Sequence, residues 1–177
     1  MPNEQLDTIR KNLAENPIFP ADANLDQIRE IFDNMGNSLP QTGNISETVI
    51  SEQKFRGMWV EVKDTEHQRA ILYIHGGGFV TGSPKSHHEL MSRLAVSANA
   101  KVLGLDYRRA PENTFPAPIE DIMSAYRWML ESGIEPNQIV IQEIPVVVGS
   151  VLLHWYQSGM KVCRNPHVLR ACLLGVI

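Results

Sequence analysis

Cysteine is nearly absent from this chain, which has only Cys163 and Cys172, both in the last segment. No disulfide framework or thiol chemistry serves the rest of the sequence, and a reducing compartment fits. Acidic residues are missing after Glu143, where Lys161, Arg164 and Arg170 supply the only formal charges. No uninterrupted apolar run reaches membrane-spanning length, and the N-terminus lacks the basic-then-apolar pattern of a signal peptide. The expectation is no membrane partner and a cytoplasmic address. Excess positive charge is lacking too: 16 Lys and Arg stand against 20 Asp and Glu, a formal charge of -4, so no basic field invites nucleic acid. Nor does Gly-x-Ser-x-Gly, a turn that presents a catalytic serine, occur anywhere in the chain.

What is present suffices for one domain with a core: 177 residues, 43% hydrophobic and 20% charged. Leu6, Ile9 and Leu13 recur at helical spacing before Pro17 and Pro20. A second amphipathic helix starts at the cap Asn24, places Leu25, Ile28, Ile31 and Phe32 on one stripe, and stops at Gly36. Alternation predicts strands around 48–53 and 55–62, followed by a buried run over 70–74. A helix capped by Ser86, with Leu90, Leu94 and Ala98 inward, leads to the strand "KVLGLDY". Another helix, "PAPIEDIMSAYRWMLESG", ends at Gly133, and the strand "NQIVI" follows. Strand, helix, strand, helix, strand past Ala70 predicts an α/β fold with a parallel sheet.

"YIHGGGF" runs directly from a strand toward a helix. Three consecutive glycines, Gly76, Gly77 and Gly78, leave backbone N–H groups open to close approach because no Cβ stands in the way. Such groups can stabilise the oxyanion formed when a nucleophile attacks an ester or amide carbonyl. The alternatives are a plain connecting turn and a phosphate cradle, but the stretch has neither the Gly-Lys-Ser/Thr end of a P-loop nor a dinucleotide fingerprint.

One helix further on lies "LDYRRAPENTFPAPIED". Together with "HGGGF" it resembles the hormone-sensitive-lipase-like family of α/β-hydrolase esterases, over roughly Met58 to Ile141. Arg109 is a departure, standing where that family usually has Leu. The resemblance implies the N-terminal part of an α/β-hydrolase fold, a mostly parallel sheet with flanking helices and an N-terminal helical cap over the pocket. It implies a serine carboxylesterase acting on a small ester or lactone, with no cofactor and no metal. Gly76, Gly77 and Gly78 would then lie at the oxyanion hole, His75 would hold the glycine loop, and Asp106, Tyr107 and Arg108 would brace it.

Other chemistry-bearing residues have plainer readings. Arg108 with Glu112 or Asp121 reads equally as a plain buried ion pair and as a brace for the loop. His87 and His88, adjacent in a helix start, point to different faces and read as solvated or pocket-rim groups rather than a metal or acid–base pair. Met58, Trp59, Trp128 and Met129 read as core ahead of an acyl pocket.

The family next requires a strand and then Gly-Asp-Ser-Ala-Gly-Gly, but here "NQIVI" is followed by "QEIPVVVGS". Ser150 follows Gly149, yet Val151 and Leu152 come next, so the small residues that close such a turn are missing. The chain as it stands contains no nucleophile, and no downstream Asp or His of the family pattern. A change of reading frame accounts for this. Codons permitted for Gln142 to Val148, read two bases later, spell Gly-Asp-Ser-Gly-Gly-Gly, with the Ser across the codons of Ile144 and Pro145. In the same frame "SGMKVC" can read Arg-Asp-Glu-Gly-Leu, and "ACLLGVI" can read Leu-Ser-Pro-Trp-x-Asp, both in the family's order.

The expected organisation is cap helices over 1–45, an incomplete hydrolase core over 46–141, and an out-of-frame tail over 142–177. Function divides into an esterase that has lost its nucleophile, a non-catalytic binding protein with a hydrolase-like pocket, and a pseudogene product that does not fold. The oligomeric state is left open.

Overall fold

The computed structural model describes residues 4–40 and 42–143. Ten elements follow in order: α1 (Glu4–Glu15), α2 (Leu25–Asn37), β1 (Ile45–Ser51), β2 (Arg56–Val62), β3 (Ala70–Ile74), α3 (His88–Ala98), β4 (Lys101–Leu105), α4 (Ala117–Glu131), a 3-10 turn (Pro136–Gln138) and β5 (Ile139–Glu143). The expected out-of-frame tail past Glu143 lies outside the described residues.

Sequence patterning explains most of these elements. Asn24 caps α2 through a reciprocal box with Gln27, satisfying N–H groups that the first helical turn cannot. The first strand lies earlier than the alternation suggests, at Ile45–Ser51, because Phe55 turns into the core at 5% exposure and the hairpin closes over 52–55. Glu52 N donates to Phe55 O there at 3.0 Å. Gly133 ends α4 at φ +88, with its N–H on Leu130 O and that of Ile134 on Met129 O.

Three expectations give way to packing. Gly36 does not stop α2, which runs on to Asn37; it sits in the last turn, where a Cβ would lie 2.5 Å from Ser86 Cα. Ser86 does not cap α3: its hydroxyl is spent on the preceding turn, accepting from Ser83 N and donating to Ser83 O. The inward face of α3 carries Met91, Ser92 and Ala95, while Leu90 is 41% exposed. The helix is turned this way because Met91 fills the space above Gly104, where a side chain on β4 would collide with its sulfur.

The strands form one mixed sheet in the order β1-β2-β4-β3-β5. Pairing is parallel where a helix connects the strands, β3 to β4 through α3 and onward to β5 through α4. It is antiparallel at the N-terminal hairpin, where β1 pairs β2 and β2 pairs β4. Alternation along the central strands then splits the core between the two faces. Leu72, Ile74, Leu103 and Leu105 pack against Ile122 and Met129 of α4, while Ile71, Tyr73 and Val102 pack against Met91 and Ala95 of α3. The four leucine and isoleucine side chains on the α4 face are fully buried, each contributing about 2 kcal/mol.

The aromatic residues weighed as an acyl pocket belong to this core. Trp59 and Met129 are buried on the α4 face, and the Trp128 ring lies 5.5 Å from Phe55 and 6.3 Å from Trp59. Met58 packs on the α3 face. α1 buries none of its residues, so its apolar stripe of Leu6, Ile9 and Leu13 is exposed. No helix among the described residues is long and apolar enough to cross a membrane.

Candidate active site

Parallel strands β3 and β4 end side by side, and the loops leaving their C-terminal ends meet, which is where open α/β sheets place ligands. From β3 comes His75 and the glycine loop; from β4 comes the segment starting at Asp106.

His75 is fully buried and its ring stacks on Tyr107 at 4.2 Å between centroids. Its Nδ1 donates to Gly76 O at 2.9 Å, and the Tyr107 hydroxyl donates to His75 O at 2.9 Å. Burial pushes the imidazole pKa down to about 3, with the nearby His87 and Arg109 adding to the shift and the bond to Gly76 opposing it. The ring is therefore neutral at physiological pH and acts as a fixed donor, not an acid.

Beyond it the chain turns through positive φ at Gly77 (+127), Gly78 (+62) and Phe79 (+63). Carbonyls in this loop are nearly all occupied. Gly77 O accepts from Val80 N, Thr81 N and the Thr81 hydroxyl; Phe79 O accepts from Ala110 N; Val80 O accepts from Arg29 Nε; Gly82 O accepts from Arg109 Nη1. The N–H groups of Gly77, Gly78 and Phe79, in contrast, have no acceptor among the described residues. A Cβ on Gly78 would meet nothing within 4 Å, so the loop's tip faces open space. Bonded carbonyls beside N–H groups without an acceptor among the described residues leave the loop with donors to offer.

Of the three residues expected to brace the loop, Tyr107 touches it directly, through His75 and through an edge contact with Phe79 at 5.9 Å. Asp106 reaches it only through Arg109, 3.6 Å away. Arg108 turns to α4, where its Nε and backbone N–H both bond Asp121, and its Nη2 reaches Glu120 at 3.0 Å. Its partner is thus Asp121, which is 2% exposed, and not Glu112.

Glu112 belongs to Arg29. The pair is bidentate at 2.7 and 2.8 Å, and the guanidinium holds the Glu112 pKa down at about 2. Arg29 also donates to Val80 O and Ala110 O, each at 2.8 Å, tying the two loops to α2. Four residues along the helix, Asp33 accepts from the Ser83 hydroxyl, and three further on Gly36 lies against Ser86. Residues 29, 33 and 36 share one helical face. Sequence reasoning missed this seam; the signal was a polar stripe beside the apolar one on α2.

Neither histidine of the adjacent pair is solvated. His87 sits half-buried with its ring 5.8 Å from His75, and burial lowers its pKa. His88 Nε2 lies 2.9 Å from Glu47 Oε1, with the His88 side chain 12% exposed. Their different faces follow from helical geometry: His88 meets Glu47 on β1, and the His87 ring lies 5.9 Å from Tyr73 on β3. No group of three or more His, Cys, Asp or Glu able to hold a metal occurs among the described residues.

A family profile described as alpha/beta hydrolase fold matches residues 71–149. Among solved structures, an esterase from the bacterial hormone-sensitive lipase family superposes with a TM-score of 0.77 at 31% identity, covering 92% of this chain and 55% of that one. Over its described body the chain has the α/β-hydrolase fold and is similar to esterases of the bacterial hormone-sensitive lipase family. Curated relatives of this chain include an acetyl-hydrolase of Streptomyces hygroscopicus, 49% identical over 73 residues that make up 41% of this chain and 24% of the relative. An esterase of Acinetobacter venetianus is 34% identical over 130 residues, 73% of this chain and 39% of that protein. The chain thus spans well under two thirds of the length of these relatives.

A groove of about 630 Å³ runs between the β1–β2 turn and α4, lined by residues such as Lys54, Arg56, Arg108, Asp121 and Arg127. It contains no residue of the glycine loop, although Asp106 and Arg108 line it, so it is distinct from the candidate site at the loop.

Proposed function

We propose that this chain is the N-terminal part of a carboxylic ester hydrolase, acting on a small ester or lactone, whose glycine loop forms the oxyanion hole. The observation that supports this most strongly is the pair of N–H groups at Gly77 and Gly78 without an acceptor among the described residues, at the C-terminal end of β3, in a loop most of whose carbonyls are already bonded. Gly76 joins the pair to the strand, and His75 and Tyr107 hold it from behind.

In the intact enzyme a serine Oγ attacks the ester carbonyl carbon, the C=O electron pair moves onto the oxygen, and the N–H groups stabilise that charge. A histidine takes the serine proton and returns it to the leaving alcohol, and water then releases the acid. Each donor of this kind is worth about a hundredfold or more in rate, because it is aimed in advance and needs no reorganisation. No cofactor enters the scheme.

The serine of this reading is the one spelled across the codons of Ile144 and Pro145 in the shifted frame. As it stands the chain carries the oxyanion site and lacks the nucleophile, so it is expected to bind small esters at most. Resequencing the gene over the codons for residues 139–148 tests the frame directly. If no frame there spells Gly-Asp-Ser, the frameshift account is wrong. Hydrolysis of short p-nitrophenyl esters tests the activity: the frame-restored chain, meaning the gene translated in the restored frame through to its stop codon so that the downstream Asp and His are included, should turn them over and the present chain should not. Turnover by the present chain would mean that another nucleophile is at work.

A further inference from the structure

The glycine loop is built in two layers. Gly76 and Gly77 lie directly on Thr81 and Gly82, so closely that a Cβ on Gly77 would overlap Thr81 O. A Cβ on Gly82 would come within 2.7 Å of His75 Nδ1 and closer still to Gly76 O. With no side chain between the layers there is no slack, and the place of the outer layer sets the place of the inner one. Gly82 itself is at φ +82, a residue with wide conformational freedom, so something must hold it.

That something is Arg109. Its Nη1 donates to Gly82 O, while Nη2 lies 3.6 Å from Asp106, which orients the guanidinium fork. The Asp106 contact alone is long and partly exposed, and such pairs contribute little. The charge-assisted bond to a carbonyl is about twice as strong as a neutral one. Leu, the residue of the related motif at this position, has no donor to offer, so the latch comes with this chain's own substitution.

We propose that Arg109 is a positioning residue of the oxyanion loop: by latching Gly82 O it fixes, from behind, the N–H groups of Gly76 and Gly77. The inference rests on the oxyanion reading for its catalytic meaning, and on the loop geometry alone for its structural one. Arg109 does not touch substrate. It acts by keeping the donor array from wandering.

Amide exchange on the full chain tests the latch. In Arg109→Leu, the amides of Val80 and Thr81, which bond Gly77 O, exchange about tenfold faster or more, while those of β3 and β4 keep their protection. Arg109→Lys, which retains a charged donor, restores most of that protection. Arg109→Gln, milder toward folding, speeds loop exchange by about threefold or more. Unchanged loop exchange in both the Leu and Gln variants overturns the proposal, and so does an equal rise across the strands, which marks general destabilisation. In the frame-restored chain, Arg109→Leu lowers kcat for p-nitrophenyl acetate by about tenfold with KM nearly constant, and Arg109→Lys recovers it. If the frame-restored parent is inactive, the esterase reading fails while the exchange comparison still decides the latch.

Discussion

Substituting Gly82 by Ala separates the backbone's need for glycine from the loop's need for close contact. Two costs apply. Positive φ (+82) disfavours an L side chain by about 1–2 kcal/mol. The new Cβ would also lie 2.7 Å from His75 Nδ1 and nearer to Gly76 O, where ordinary contact begins at 3.4 Å, so the layers must part by about 1 Å. Overpacking of that kind adds about 1–3 kcal/mol, for a total of about 2–5 kcal/mol. Gly133 is the control. It has a similar φ of +88 but open space around it, so Gly133→Ala pays only the conformational cost of about 1–2 kcal/mol. Urea unfolding of both variants measures the difference. In the frame-restored chain a 1 Å shift of the donor array lowers kcat by about a hundredfold in Gly82→Ala, and Gly133→Ala leaves kcat near the parent value. Equal losses of stability and activity in the two variants would refute the two-layer argument.

Asp121→Ala removes a carboxylate that is 2% exposed and leaves the Arg108 backbone N–H without its acceptor. Because the Arg108 side chain is 47% exposed and can turn to water, the expected cost is about 2–3 kcal/mol in urea unfolding, below that of a fully buried broken pair. Glu112 has a folded pKa of about 2 against an ordinary 4.5, so its attachment to Arg29 is complete above about pH 4.5 and is lost as pH falls toward 2. Amide exchange of α2, taken relative to the intrinsic rate at each pH, should rise over that window in the parent chain. In Glu112→Gln it should be raised at neutral pH and flat below, and a parent-like acid response in that variant would show that another group carries it.

Secondary structure was legible wherever a residue's neighbours along the chain decide its conformation. Asn24 with Gln27, the fully apolar run of β3 and Gly133 after α4 are of this kind. The phase of α3 was not legible. Leu90, Leu94 and Ala98 share a face by spacing, but the space above Gly104 selects Met91, and only the folded sheet reveals that space. The glycine loop was visible as a motif, and so was Tyr107. Arg29 was not, because its partners Val80, Ala110 and Glu112 lie 51 to 83 residues away and a polar position on a helix does not name its acceptor. Arg108 offered two acids at plausible spacing, and the turn into α4 decided for Asp121.

Among the described residues, the contacts that hold the candidate oxyanion loop come from before the point where the frame is proposed to change. Arg29, Asp33, His75, Thr81, Tyr107, Arg109 and Ala110 supply them, and β5 contributes strand pairing to β3 without touching the loop's carbonyls. Positioning of the oxyanion site is therefore separable from delivery of the nucleophile, although both serve one reaction. The donor array depends on α2 and on the segment after β4, whereas the serine depends on the turn that follows β5. On this reading, a frame change from about Gln142, within β5, removes the nucleophile and leaves the site that would have stabilised the charge, and restoring the frame needs no compensating change upstream of Gln142.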